Sequence, residues 1–147
     1  MTEPNKQLTI PFSLLRIKTE QFAAFDIEST KLDSTALEAA IRFGIDRSNR
    51  LVGVYTKITF LQEEKPFLLV EVRCDFQIEA SAWQNLIKDS GQIVLPLALA
   101  QHLGVLSIGT TRGVLHAKTE GSPFNNYLIP TLDVTQLVKS DVFFDAV

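Results

Sequence analysis

The chain has 147 residues, a formal net charge of −3, and 46% hydrophobic against 21% charged residues. That balance is globular rather than disordered, and one domain of this length can hold a core while still gaining from a partner. An acidic pI near 5.4 argues against a nucleic-acid binder, which needs a basic face to release counterions, and a single cysteine excludes an intramolecular disulfide.

The opening M-T-E-P-N-K-Q is polar, and residues 1–7 are expected to fray. It lacks the basic start and apolar run of a signal peptide, so a cytoplasmic protein is expected. Residues 8–25 read as a strand with a bend at Pro11. Leu15, Ile17 and Thr19 fall on one face, and Arg16, Lys18 and Glu20 on the other. A polar connection follows over 26–35. In 36–47, Leu37, Ala39, Ile41, Phe43 and Ile45 alternate with Glu38, Arg42 and Asp46, the pattern of a half-buried antiparallel strand. Ser48, Asn49 and Arg50 supply turn chemistry.

The next strand, 51–61, places Val52, Val54, Thr56, Ile58 and Phe60 on one face and Tyr55, Lys57 and Thr59 on the other. After a tight connection at 62–66 comes the longest strand, 67–79. Leu68, Val70, Val72, Cys74, Phe76 and Ile78 make its apolar face, opposite Phe67, Leu69, Glu71, Arg73, Asp75 and Gln77. Three antiparallel strands in succession form a meander, and the first strand adds most simply to its edge.

A short helix over 80–89 is anchored by Trp83, Leu86 and Ile87. Residues 90–111 then carry no Lys, Arg, Asp or Glu. A long helix is expected to begin near Leu95 with Pro96 in its first turn, pass Arg112 and run to Thr119, with Gly121 as the stop. At helical spacing, Leu95, Leu99, Leu103 and Leu106 form one stripe. Leu97, Ile108 and Leu115 fall nearly opposite, flanked by Ala98 and Val105. Two apolar sides require two covers, the chain's own sheet and a partner. Leu97, Val105, Ile108 and Leu115 are therefore expected at an oligomer interface. A membrane span needs about 20 apolar residues, and Pro96, Gln101, His102, Gly104, Ser107 and Gly109 dilute this run too far, so no membrane insertion is expected. The tail is loop-like up to Pro130, after which Asp133 is placed to cap a short helix over 134–138. Strands first and helices after predict an α+β class: a four-stranded antiparallel sheet with helices packed on one face, in a single domain.

No catalytic motif, metal set or cofactor fingerprint appears. His102 and His116 lie roughly 20 Å apart along one helix and cannot share a metal within a subunit. Cys74 sits on an apolar strand face, where a thiol is inert packing. Gly109 to Gly113, G-T-T-R-G, follows no strand and forms no phosphate loop, and Arg112 reads as structural. Phe22, Phe25, Phe60, Phe67, Phe124, Tyr127, Phe143 and Phe144 include many aromatics in loops or at strand ends, where they serve either as ligand anchors or as lids over the sheet edges.

In this order the chain resembles the SecB family of export chaperones, including those attached to toxin–antitoxin systems. L-L-R-I-K-T-E (Leu14 to Glu20) resembles the family's first strand, and F-L-L-V-E-V (Phe67 to Val72) its F-L-x-E-V strand. I-V-L-P (Ile93 to Pro96) corresponds to I-L-F-P at the start of the family's long helix. T-R-G (Thr111 to Gly113) resembles its S-R-G, and L-I-P-T-L-D-V-T-Q-L (Leu128 to Leu137) its L-x-P-V-N-F-D-A-L. The resemblance implies a cytoplasmic holdase that binds non-native polypeptides without ATP, assembled as a dimer of dimers with long helices between the dimers. It implies a peptide groove near Phe22, Phe25, Trp83, Phe124 and Tyr127. The connection at 26–35 is shorter and less aromatic than the family's crossover loop, and the family's acidic C-terminal tail has no counterpart. Of the residues that dock the translocation ATPase only Leu69 and Glu71 match, with Gln21 where an acid is expected, which leaves that docking doubtful. The other readings are a dedicated chaperone of one protein, such as an antitoxin, and an enzyme or small-ligand protein on the same fold.

Overall fold

A computed structural model describes residues 10–26 and 35–146. The expected frayed start, and all but the ends of the 26–35 connection, lie outside these residues. Four long strands form one antiparallel sheet: β1 (Phe12–Ala24), β2 (Thr35–Asp46), β3 (Leu51–Gln62) and β4 (Lys65–Ile78), in the order β1-β4-β3-β2. The meander is β2-β3-β4, and β1 adds to its β4 edge, as the alternation leads one to expect. Val52, Val54, Ile58 and Phe60 of β3 and Leu68, Val70, Val72, Cys74, Phe76 and Ile78 of β4 are all buried on the inner face. Leu37, Ile41, Phe43 and Ile45 of β2 are half-buried against the same core.

The turns follow from their residues. Asp46 closes the β2–β3 connection by accepting from the backbone N–H of Asn49 at 3.2 Å and from its side-chain amide at 2.8 Å. Between β3 and β4 the loop is Glu63-Glu64, and both residues have positive φ, 50° and 66°. A two-residue hairpin needs that geometry to match strand twist.

Two bulges change β1. Its pairing with β4 slips between Leu14 and Arg16 and again between Thr19 and Gln21, which leaves Leu15 and Glu20 unmatched. The regular alternation expected for this strand is therefore broken. Leu14, Leu15 and Ile17 are 45%, 56% and 49% exposed, so Leu15 and Ile17 do not form a buried face.

After the sheet come α1 (Ala80–Leu86), β5 (Ile93–Leu95), α2 (Leu97–Thr119), a 3₁₀ turn at Pro123–Asn126, α3 (Val134–Leu137) and β6 (Val142–Phe144). β5 and β6 pair as a small second sheet that the sequence did not suggest. Leu95 accordingly lies in a strand, and Pro96 precedes the long helix rather than sitting within its first turn. The helix ends at Thr119 with Gly121 at φ 76°, and Asp133 caps α3 by accepting from Thr135 N–H at 3.0 Å. α2 lies across β3 and β4, and α3 fits against α2 and β2.

The buried face of α2 keeps Leu99 and Leu103 of the leucine stripe but leaves Leu106 outside it. Its buried residues are Leu99, Ala100, Leu103, Gly104, Ser107, Ile108, Thr111, Leu115 and Thr119. Three are hydroxyl residues, which become tolerable inside because Ser107, Thr111 and Thr119 each donate to the carbonyl four residues back, at 2.7 to 2.9 Å. Gly104 lets the helix approach Ile41 and Val134 closely: a Cβ there would stand 3.1 Å from Val134 and 3.4 Å from Ile41.

Candidate functional site

Four aromatic rings converge where the β3–β4 hairpin meets the C-terminal end of α2. Phe67 stands 5.0 Å from Tyr127, edge to face, and 6.5 Å from Phe124, stacked. Phe60 lies 6.4 Å from Phe67 and 5.8 Å from Tyr127. Strict alternation puts Phe67 on the outer face, opposite Leu68. A register shift between Phe60 and Leu61 leaves Phe67 without a cross-strand partner and turns it inward, where it is 1% exposed. Phe60 and Phe67 thus belong to the site although no sequence signal marked them as more than surplus aromatics.

The other two rings come from the 3₁₀ turn. Ser122 Oγ accepts from Phe124 N–H, and the Asn125 amide donates to the His116 carbonyl at 3.1 Å and to Thr119 Oγ1 at 3.1 Å, which ties the turn to α2. Arg112 donates to the carbonyls of Ile129 and Pro130, both at 2.8 Å, and pins the chain that follows. Its role is structural, as its isolation in the helix suggested.

From the opposite side, the backbone N–H of Phe25 donates to the Phe67 carbonyl at 2.7 Å and fastens the end of β1 to the cluster. Phe22 and Phe25 are 37% and 59% exposed, and Leu128 is 61% exposed. The fold therefore brings Phe22, Phe25, Phe124 and Tyr127 to one end of the sheet. Trp83 does not join them. It is buried in α1, beyond the far end of β4, and the run from Phe67 to Ile78 alone spans roughly 36 Å.

The residues assigned to an oligomer interface separate in the same way. Val105 is 52% exposed, and Leu106, expected on the inner stripe, is 40% exposed beside it. Leu97 is half-buried, while Ile108 and Leu115 are buried within the subunit at 5% and 1%. The outward side of α2 is made instead by Ala98, His102, Val105, Leu106, Gly109 and Gly113, and apart from the helix's own neighbouring backbone no described residue stands within 4 Å of where a Cβ would be at either glycine. On the sheet's outer face Leu69 is half-buried, and Glu71 is buried and paired with Arg42 at 3.9 Å.

No group of metal-binding side chains exists among the described residues. Cys74 is fully buried, and burial pushes its thiol up, opposed in part by hydrogen bonds with Ser107 and Thr110. Such a thiol stays protonated at neutral pH and is a poor nucleophile. His116 lies 3.7 Å from Glu120 on the exposed side of α2. Among the described residues no helix is long and apolar enough to cross a membrane. Compared with known proteins, the chain matches no family model, no curated protein and no solved structure.

Proposed function

We propose that this protein is a SecB-like holdase, which binds non-native polypeptides at the aromatic end of its sheet without ATP or covalent chemistry. One observation carries the reading: Phe22 and Phe25 stand exposed at the end of an edge strand, and the backbone N–H of Phe25 fastens that end to the Phe67 carbonyl of a ready-packed cluster of Phe60, Phe67, Phe124 and Tyr127. Rings packed in advance lose little freedom when a client covers them, and their faces accept many apolar side chains. Burial supplies roughly 25 cal/mol per Å² of apolar surface, before the cost of ordering the client.

In the same reading, copies of the chain assemble through the outward side of α2, as a dimer of dimers in the cytoplasm. Val105, Leu106, Gly109 and Gly113 take the place there of Ile108 and Leu115. Docking to a translocation ATPase is not part of the proposal, because Glu71 is already engaged by Arg42.

The test is suppression of aggregation, followed by light scattering, for several unrelated unfolded clients in the absence of nucleotide. Wild-type protein should suppress it, and Phe22→Asp and Phe25→Asp should each weaken the effect with the melting temperature unchanged. Trp83, buried and remote, should keep its emission as clients bind. Failure on every unrelated client overturns the general holdase and leaves a dedicated chaperone of one protein, or a non-chaperone binding protein on this fold.

A further inference from the structure

The outer face of the sheet, opposite the aromatic cluster, has a hole in its side-chain cover. Gly44 of β2 and Gly53 of β3 are direct cross-strand partners, so two side chains are missing side by side. Above them lies a hollow of about 240 Å³ lined by Arg16, Asp46, Tyr55, Arg73 and Asp75, with Ile45 and Leu51 along its side. Glycine weakens a strand interior and often marks the close approach of another group. Packing accounts for Gly53, where a Cβ would press to 3.2 Å on Asp75 Oδ1. It does not account for Gly44, where a Cβ would meet only Tyr55, at an ordinary 3.7 Å.

The walls carry both signs of charge. Arg73 is held by Asp75 at 3.3 Å and Glu20 at 3.0 Å, and Asp75 is held in turn by Arg16 Nε at 2.7 Å. These groups neutralise one another as ions, although Arg73 Nε and Glu20 Oε1 find no aligned hydrogen bond among the described residues. Arg16 keeps its two terminal nitrogens free of hydrogen bonds to described residues, and its side chain is 58% exposed. Asp46 accepts from Asn49, and the Ser48 backbone N–H adds to this hold, while its carboxylate has lone pairs beyond these bonds. Its carboxyl is held below the usual range chiefly by the Asn49 side-chain amide, and the charge of Arg16 adds to the effect, so the two groups feel each other without touching. An anion entering the hollow meets Asp46 and Asp75, and a cation meets Arg16 and Arg73. Only a ligand with both charges is complementary to both walls.

We propose that this hollow binds a small zwitterion of the α-amino-acid type, its carboxylate on the free end of Arg16 and its ammonium on Asp46. Gly44 and Gly53 leave the space, and Tyr55 and Leu51 give its carbon atoms an apolar side to lie against. The site is independent of the client-binding reading and uses none of its residues.

The experiment is a titration of isotope-labelled protein with free glycine, followed through the backbone amides of Gly44 and Gly53. Acetate and methylamine serve as single-charge probes. Free glycine should shift both amides and saturate with a dissociation constant on the order of 1 mM, as suits so small a ligand. Acetate and methylamine should each bind at least about tenfold more weakly. Gly44→Val, which fills the hollow, and Arg16→Gln, which removes the guanidinium from the surface, should both abolish the response. Should Gly44→Val fail to fold, Arg16→Gln decides. The proposal is overturned if free glycine leaves the two amides unmoved, if acetate binds as well as glycine, or if Arg16→Gln retains wild-type affinity.

Discussion

The backbone N–H of Leu97, the first residue of α2, donates to Oδ1 of Asp141 at 2.8 Å, across 44 positions of sequence. Pro96 occupies the cap position and offers no side-chain acceptor, so the helix borrows its cap from the tail. Pairing of Leu95 with Val142 in the small sheet sets Asp141 in place. Its charge also lies where the helix dipole favours an anion.

Asp141→Ala should therefore cost about 1 kcal/mol, while Asp141→Asn, which still accepts, should cost less. Urea denaturation measures both. Equal stability of Asp141→Ala and wild type would mean that the contact contributes nothing.

The Glu63-Glu64 loop holds two β-substituted residues in the left-handed region, at φ 50° and 66°. Each is disfavoured there by about 1–2 kcal/mol relative to a residue that accepts the conformation. Replacing the pair by Asn-Gly should raise stability by roughly 1 kcal/mol, and the gain should appear in thermal melting. A lower melting temperature would show that the glutamates make compensating contacts.

Much of the sheet was legible in the sequence, because alternation from Val52 to Phe60 and from Leu68 to Ile78 left a single way to bury both faces. Bulges carry no such signature. They reversed Phe67 and broke the pattern of β1, and nothing in the letters at Leu15 or Glu20 marks them. In α2 the leucine stripe held at Leu99 and Leu103 but not at Leu106, because further along the inner face is finished by Ser107, Thr111 and Thr119, whose hydroxyls are satisfied by the helix itself. The site divided along the same line. Phe22, Phe25, Phe124 and Tyr127 meet because strand ends and turns meet there, whereas the placement of Trp83 depended on which end of β4 its helix follows.

Glu79 offers a pH test of local structure. Its carboxylate caps α1, accepting from the Ser81 hydroxyl and from the backbone N–H of Ser81 and Ala82. The Ser81 hydroxyl bond is the main cause of its lowered pKa, followed by the Ser81 backbone bond. A pKa lowered on folding gives stability that is complete above the unfolded value and lost as pH falls through the folded one. Glu79→Gln should therefore remove part of the acid-side slope of stability below neutral pH and leave the alkaline side alone. An unchanged slope would show that the cap does not titrate with folding.

The two sides of α2 give opposite expectations for the same chemical change. Val105 and Leu106 are half in solvent, while Ile108, two positions on from Leu106, is 5% exposed against the chain's own sheet. A glutamate at Ile108 would bury an unpaired charge, at a cost of several kcal/mol, and should unfold the subunit or bring its melting temperature down sharply. Val105→Glu combined with Leu106→Glu places charge only where a second copy is proposed to sit. That double variant should keep its circular dichroism and its melting behaviour as a single subunit, but scatter light as a smaller particle than the wild type. A wild-type protein that is already monomeric, or a double variant of unchanged mass, would remove the outward side of α2 as an interface. The exposed aromatic end of the sheet would then have to act within one subunit.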